Sequence, residues 1–169
     1  MKKIILLATL ALMSSVVRAQ EVDNDELSTS YNFLSIGVIT EQHGGVGGFA
    51  TFDISKKLYD GLSFEIAPKA RYIKFEPVKG LTADILDAGL MLGLSYQCHV
   101  NEKISIIPVF GVTPGVRFWL DNRNSDNTFV MSADIGLRLK MQRVAFIYNL
   151  GVGMKERGTS HSFGLAFGF

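Results

Sequence analysis

The chain has a single cysteine, Cys98, in 169 residues. No internal disulfide can form, and a disulfide-stapled scaffold is excluded. Nothing near Cys98 marks it as an activated nucleophile, so it reads as an incidental thiol. Charge of neither sign dominates, the formal net charge being +1. Nucleic-acid binding needs a basic face, so no nucleic-acid partner is expected. Histidine is scarce, with three in all. His43 and His99 fall in connections at opposite ends of the expected fold and cannot share a metal, and no cofactor or metal is expected. Beyond the first 20 residues no apolar run approaches the about 20 residues that a membrane-spanning helix takes.

The first 19 residues stand apart. Lys2 and Lys3 precede an apolar run from Ile4 to Met13, and Val17-Arg18-Ala19 ends on a small residue. That order is a secretory signal, cleaved after Ala19. Its removal takes the basic count from 17 to 14 against 16 acidic residues, a net charge of −2. Residues 20–30 are expected to form a short, poorly ordered acidic leader, and residues 31–169 are long enough for one domain.

In that domain, alternation with period two dominates, the mark of strands with two unlike faces. Eight strands are expected: Asn32 to Ile39, Gly48 to Ser55, Leu62 to Phe75, Asp84 to Gln97, Ile104 to Leu120, Phe129 to Lys140, Val144 to Lys155 and Ser162 to Phe169. One set of alternate positions is bulky and apolar, as in Leu86, Ala88, Leu90, Leu92 and Leu94. The other is small or polar, as in Asp87, Gly89, Gly93 and Ser95. Pro68, Pro108 and Pro114 interrupt these segments, so bulges or local unpairing are expected there. Eight strands closed into a ring leave a bore only just wide enough for side chains. The bulky set is too voluminous for that bore, so it faces outward, which is stable only against lipid. Trp119, Phe118, Tyr72 and Phe129 are expected in an interfacial aromatic belt. Lys74, Lys79 and Arg123 are expected where they can touch phosphates of membrane lipid.

The charged residues then fall in the lumen: Asp53, Glu65, Lys69, Arg71, Asp87, Arg117, Asp134, Arg138, Lys140 and Lys155. Charges in a confined space of low dielectric must pair. Folding each hairpin about its outer loop sets Arg71 near Asp87 and Arg117 near Asp134. Asp53 and Glu65 approach each other and need cations, with Arg138 and Lys140 on the opposite wall. A salt-bridged plug is the expected result, and a narrow ion or small-solute channel is the alternative.

The last strand carries a resemblance. Ser162, Gly164, Phe167 and Phe169 hold the polar, glycine and spaced aromatic places of the terminal strand of small bacterial outer-membrane β-barrel proteins, which the chain resembles along its mature length. That group holds the OmpX-like, OmpA-barrel-like and OmpW-like families, and nothing picks one of them. The resemblance implies an all-β, eight-stranded, antiparallel, up-and-down transmembrane barrel in the outer membrane of a Gram-negative cell. It also implies that these four residues signal to the barrel-assembly machinery. A monomer with a structural or surface-interaction role is expected. A lipid-modifying enzyme is a further alternative, because Ser160-His161-Ser162 lies at the outer end of the last strand with Glu156 and Asp126 as loop acids. A histidine beside a serine with no fixed third member is a weak signature, and the protein is expected not to be an enzyme. Gly44-Gly45-Val46-Gly47-Gly48 lacks the lysine and helix of a phosphate loop.

Overall fold

The computed structural model describes residues 31–42, 44–78, 81–120, 127–154 and 158–169. The signal and leader assignments lie outside them, as do His43, Lys79, Arg123, Asp126, Lys155 and Glu156. Nine strand segments follow one another: β1 (Asn32–Glu41), β2 (Val46–Tyr59), β3 (Leu62–Val78), β4 (Leu81–Tyr96), β5 (Cys98–His99), β6 (Ile104–Trp119), β7 (Thr128–Met141), β8 (Val144–Gly153) and β9 (Thr159–Gly168). The two-residue β5 continues β4 past Gln97, and both pair with β6. The barrel therefore has eight staves. Each pairs antiparallel with its sequence neighbour, and β1 against β9 closes the ring. A closed ring leaves no unpaired strand edge.

The wall faces as the alternation requires. Leu90, Leu94, Phe110, Ile135, Leu137, Phe146 and Phe163 are exposed on its outside, while Ser35, Asp53, Glu65, Asp87, Ser95 and Asp134 are buried within. A cylinder coated in leucine and phenylalanine is stable only in hydrocarbon, so these strands span a membrane. At one end the connections are tight: Asp60-Gly61 between β2 and β3, and Gln142-Arg143 between β7 and β8. The chain enters β1 and leaves β9 at that same short-turn end. The two longest connections, between β6 and β7 and between β8 and β9, lie at the other.

The three prolines are accommodated without any slip in register. Thr51 pairs with Lys69 and Ile54 with Ile66, leaving the β2 side of Pro68 unpaired between them. The same one-sided gap in the ladder with β4 and β5 lies at Pro108 and at Pro114. Each proline lacks an N–H on one side only, and its other neighbour stays in step: Pro68 with Leu90, Pro108 with Leu137, Pro114 with Met131.

The bore is more apolar than the glycine-rich alternation suggests. Phe33, Ile39, Ile73 and Ile107 are fully buried inside it, and Phe49, Met91, Val109 and Ile147 join them. Strands this long enclose more volume than glycine and serine fill, and protein interiors pack to crystal density. Trp119 also corrects the aromatic belt. It has the same parity as the lumen-facing Arg117, and its ring lies 6.2 Å from that of Phe75 near the long-loop mouth.

Candidate functional site: the ionic bore

Among the described residues the buried charges form three groups. The first lies in the half of the bore nearer the short turns. Arg138 on β7 donates from Nη1 and Nη2 to the two oxygens of Glu65 on β3, each at 2.8 Å. Its Nη2 also donates to Asp53 on β2 at 3.1 Å. The staves β2 and β7 stand diametrically opposite, so this guanidinium spans the bore. Tyr31, just ahead of β1, donates its hydroxyl to Glu65 at 2.5 Å and meets Ser95 at 2.7 Å. Asp53 accepts further bonds from Ser35 and Thr51. Glu65 is 0% exposed and Arg138 4%. A bidentate guanidinium–carboxylate pair with its remaining lone pairs occupied is the arrangement in which buried charge is tolerated. Lys140 stands 5.6 Å over the ring of Tyr31 and 5.9 Å over that of Phe33, and among the described residues it forms no ion pair.

The second group is a single pair across the bore. Lys69 on β3 reaches Asp134 on β7 at 3.4 Å. Asp134 also accepts from Thr113 and, at 3.3 Å, from Ser132.

The third group lies near the long-loop mouth and runs along the wall instead of across it. Arg71, Asp87 and Arg117 sit on the neighbouring staves β3, β4 and β6, in register as cross-strand partners. Asp87 accepts from Arg71 at 3.0 Å and from Arg117 at 2.8 and 3.0 Å. Arg117 also reaches across the bore to Glu41 at 3.9 Å.

Arg71 with Asp87, and Asp53 and Glu65 with Arg138, are thus brought together. Arg117 and Asp134 are not. The β6–β7 hairpin pairs Arg117 with Thr128 and Asp134 with Gly111, so folding about a long connection displaces the partner by several residues. Closure of β6 on β4 supplies Asp87 instead. Tyr31 and Glu41 were the members missed from sequence, the first because it precedes the strand pattern, the second because it ends it.

The terminal-strand residues divide between the faces. Ser162 is buried inside, and Phe167 and Phe169 lie outside. Gly164 pairs with Gly37 of β1, where a Cβ on either would strike the opposite backbone. Glycine is therefore required for the seam that closes the ring. Phe169 stacks on Phe52 at 5.6 Å. His161 bonds to the Tyr148 hydroxyl at 2.9 Å on the outer surface. Ser160 and Ser162 are adjacent in the same strand and point the other way, so the strand pleat separates the histidine from both serines. Among the described residues no group of His, Cys, Asp or Glu is placed to hold a metal.

No protein-family description matches the chain, and no curated protein matches it. Solved structures do. The outer-membrane enzyme PagL superposes with a TM-score of 0.52 at 12% identity, over 81% of this chain and 98% of its own. Ail, the attachment invasion locus protein of Yersinia pestis, in complex with the heparin analogue sucrose octasulfate, gives 0.51 at 12%, over 83% and 99%. A de novo designed transmembrane β-barrel gives 0.50 at 14%, over 86% and 100%. At such identities the likeness is one of fold. The chain has the fold of the small transmembrane barrels of the outer membrane.

Proposed function

We propose that the protein is an integral outer-membrane barrel with a closed bore and a structural or surface-interaction role, and that it is neither a channel nor an enzyme. Barrels of this shape include an enzyme and an attachment protein, so the task has to be argued from the site. The observation that carries the reading is the lock of Arg138 on Glu65 and Asp53. It joins staves on opposite walls, is buried, and uses its hydrogen-bonding capacity internally. An ion moving through the bore has to separate these charges, and breaking one partner from a buried pair costs about 3–5 kcal/mol. The non-enzymatic reading rests on His161, which faces outward to Tyr148 while its serine neighbours face inward. The barrel sits as a monomer among outer-membrane lipids, with the short turns on the periplasmic side. The assembly machinery meets it through the Ser162-to-Phe169 strand during insertion.

Planar-bilayer recording on the refolded barrel tests the reading. The expected trace shows no steady conductance. A constant, ohmic conductance in the unmodified protein contradicts it, and an Arg138→Ala variant that conducts where the parent does not supports it.

A further inference from the structure

Outward of the plug the bore holds a cavity of about 180 Å³ that opens at the long-loop end. At about 30 Å³ per water molecule it has room for a solute of sugar-ring size. We propose that this vestibule binds a small, neutral, hydroxyl-rich solute of monosaccharide size. The inference goes beyond the structural role above and does not depend on whether the bore conducts.

Charge is the first argument. The cavity is lined by Arg71, Arg117 and Glu41, and both guanidiniums are tied from one side by Asp87. Among the described residues these two cations and two anions cancel, so an ion of either sign gains little. A neutral ligand that donates and accepts at once finds partners on both sides.

Unused hydrogen-bonding capacity is the second argument. Ser160 is only 7% exposed, lines the cavity, and its hydroxyl bonds to no other group among the described residues. Arg71 gives Asp87 a bond from Nη2, and its Nη1 lies 4.0 Å from where a Cβ on Gly151 would stand. Glu41 is engaged by Arg117 only at 3.9 Å. Polar groups normally use their hydrogen-bonding capacity, and here Arg71, Glu41 and Ser160 border one space with part of theirs left over.

Shape is the third. A Cβ on Gly151 would stand 2.6 Å from the Ser160 hydroxyl and 3.4 Å from Asp134 Oδ1. The missing side chain is what keeps the floor of the cavity open beside these polar atoms. Apolar side chains also line the cavity: Phe75, backed by Trp119, and Ile85 on the staves opposite, with Val130 on the stave beside Gly151. An apolar wall with a few placed polar groups is the usual composition of a small-molecule site. The C–H face of a pyranose lies on Phe75 while its hydroxyls reach Arg71, Ser160 and Glu41.

The test is a backbone-amide NMR titration of the full mature barrel, refolded in detergent micelles. Glucose, galactose and mannose are added in separate series, with inorganic phosphate as an anionic probe and glycine as a zwitterionic one. At least one sugar is expected to shift the Gly151 and Ser160 amides saturably in the millimolar range, with glycine and phosphate about tenfold weaker or more. Gly151→Val is expected to weaken that sugar by about tenfold. Ser160→Ala, which only removes a hydroxyl, is expected to weaken it about fivefold and guards against misfolding of the first variant. Three results overturn the proposal: no saturable shift with any of the sugars, tighter binding of phosphate or glycine, or parental sugar affinity in Ser160→Ala.

Discussion

The two ends of the bore use the same residue types to opposite effect. Near the short turns, Arg138 bridges opposite walls and is shut from solvent on every side. Near the long loops, Arg71 and Arg117 flank Asp87 along one wall, and the space in front of them stays open. The difference comes from strand position. Ions three or four staves apart meet only by crossing the lumen, whereas ions on adjacent staves meet as a cross-strand pair. The first arrangement closes a barrel. The second leaves a mouth.

The largest effect expected is therefore at Arg138. Arg138→Met leaves Glu65 and Asp53 as bare buried carboxylates and is expected to cost about 3–5 kcal/mol in a reversible urea-unfolding measurement in lipid. The wall itself gives the next. Leu137 is the lipid-facing neighbour of Arg138, and Leu137→Arg is expected to cost about 2–4 kcal/mol by the same assay. A charge is thus stabilising or destabilising according to which of two consecutive positions it occupies, and equal effects at the two would break the comparison. Tyr31→Phe removes one buried hydroxyl from the lock while keeping the ring, for about 1–2 kcal/mol. Arg117→Met comes last, at about 1 kcal/mol, because Asp87 keeps Arg71 and stands beside a cavity that water can enter. An Arg117→Met cost equal to that of Arg138→Met would show that the outer cluster is as essential as the inner lock.

Strand number, strand bounds to within a few residues and the facing of the wall were legible because a period of two and a volume argument need no long-range knowledge. Arg71 with Asp87 was legible for the same reason, as partners within one hairpin. The partner of Arg117 was not, since it depends on the length of the β6–β7 connection and on closure of β6 against β4, and neither leaves a local mark. The apolar filling by Phe33, Ile73 and Ile107 was hidden because these residues interrupt the expected small-or-polar parity. Trp119 was misplaced because aromatic residues near a strand end suit the lipid interface and the lumen equally, and only register separates the two. Ser160 and Gly151 carried no signal of a cavity, because the one they floor exists only once eight staves have met.

One measurement reaches the central claim, that one face of each strand meets hydrocarbon while the other fills a closed bore. A carbene photolabel dissolved in the bilayer, followed by mass spectrometry of the peptides, compares apolar residues of the two parities. Adducts are expected on Ile135, Leu137 and Phe146, with none on Phe33, Ile107 or Ile147. Labelling of that second set at the level of the first would contradict the account.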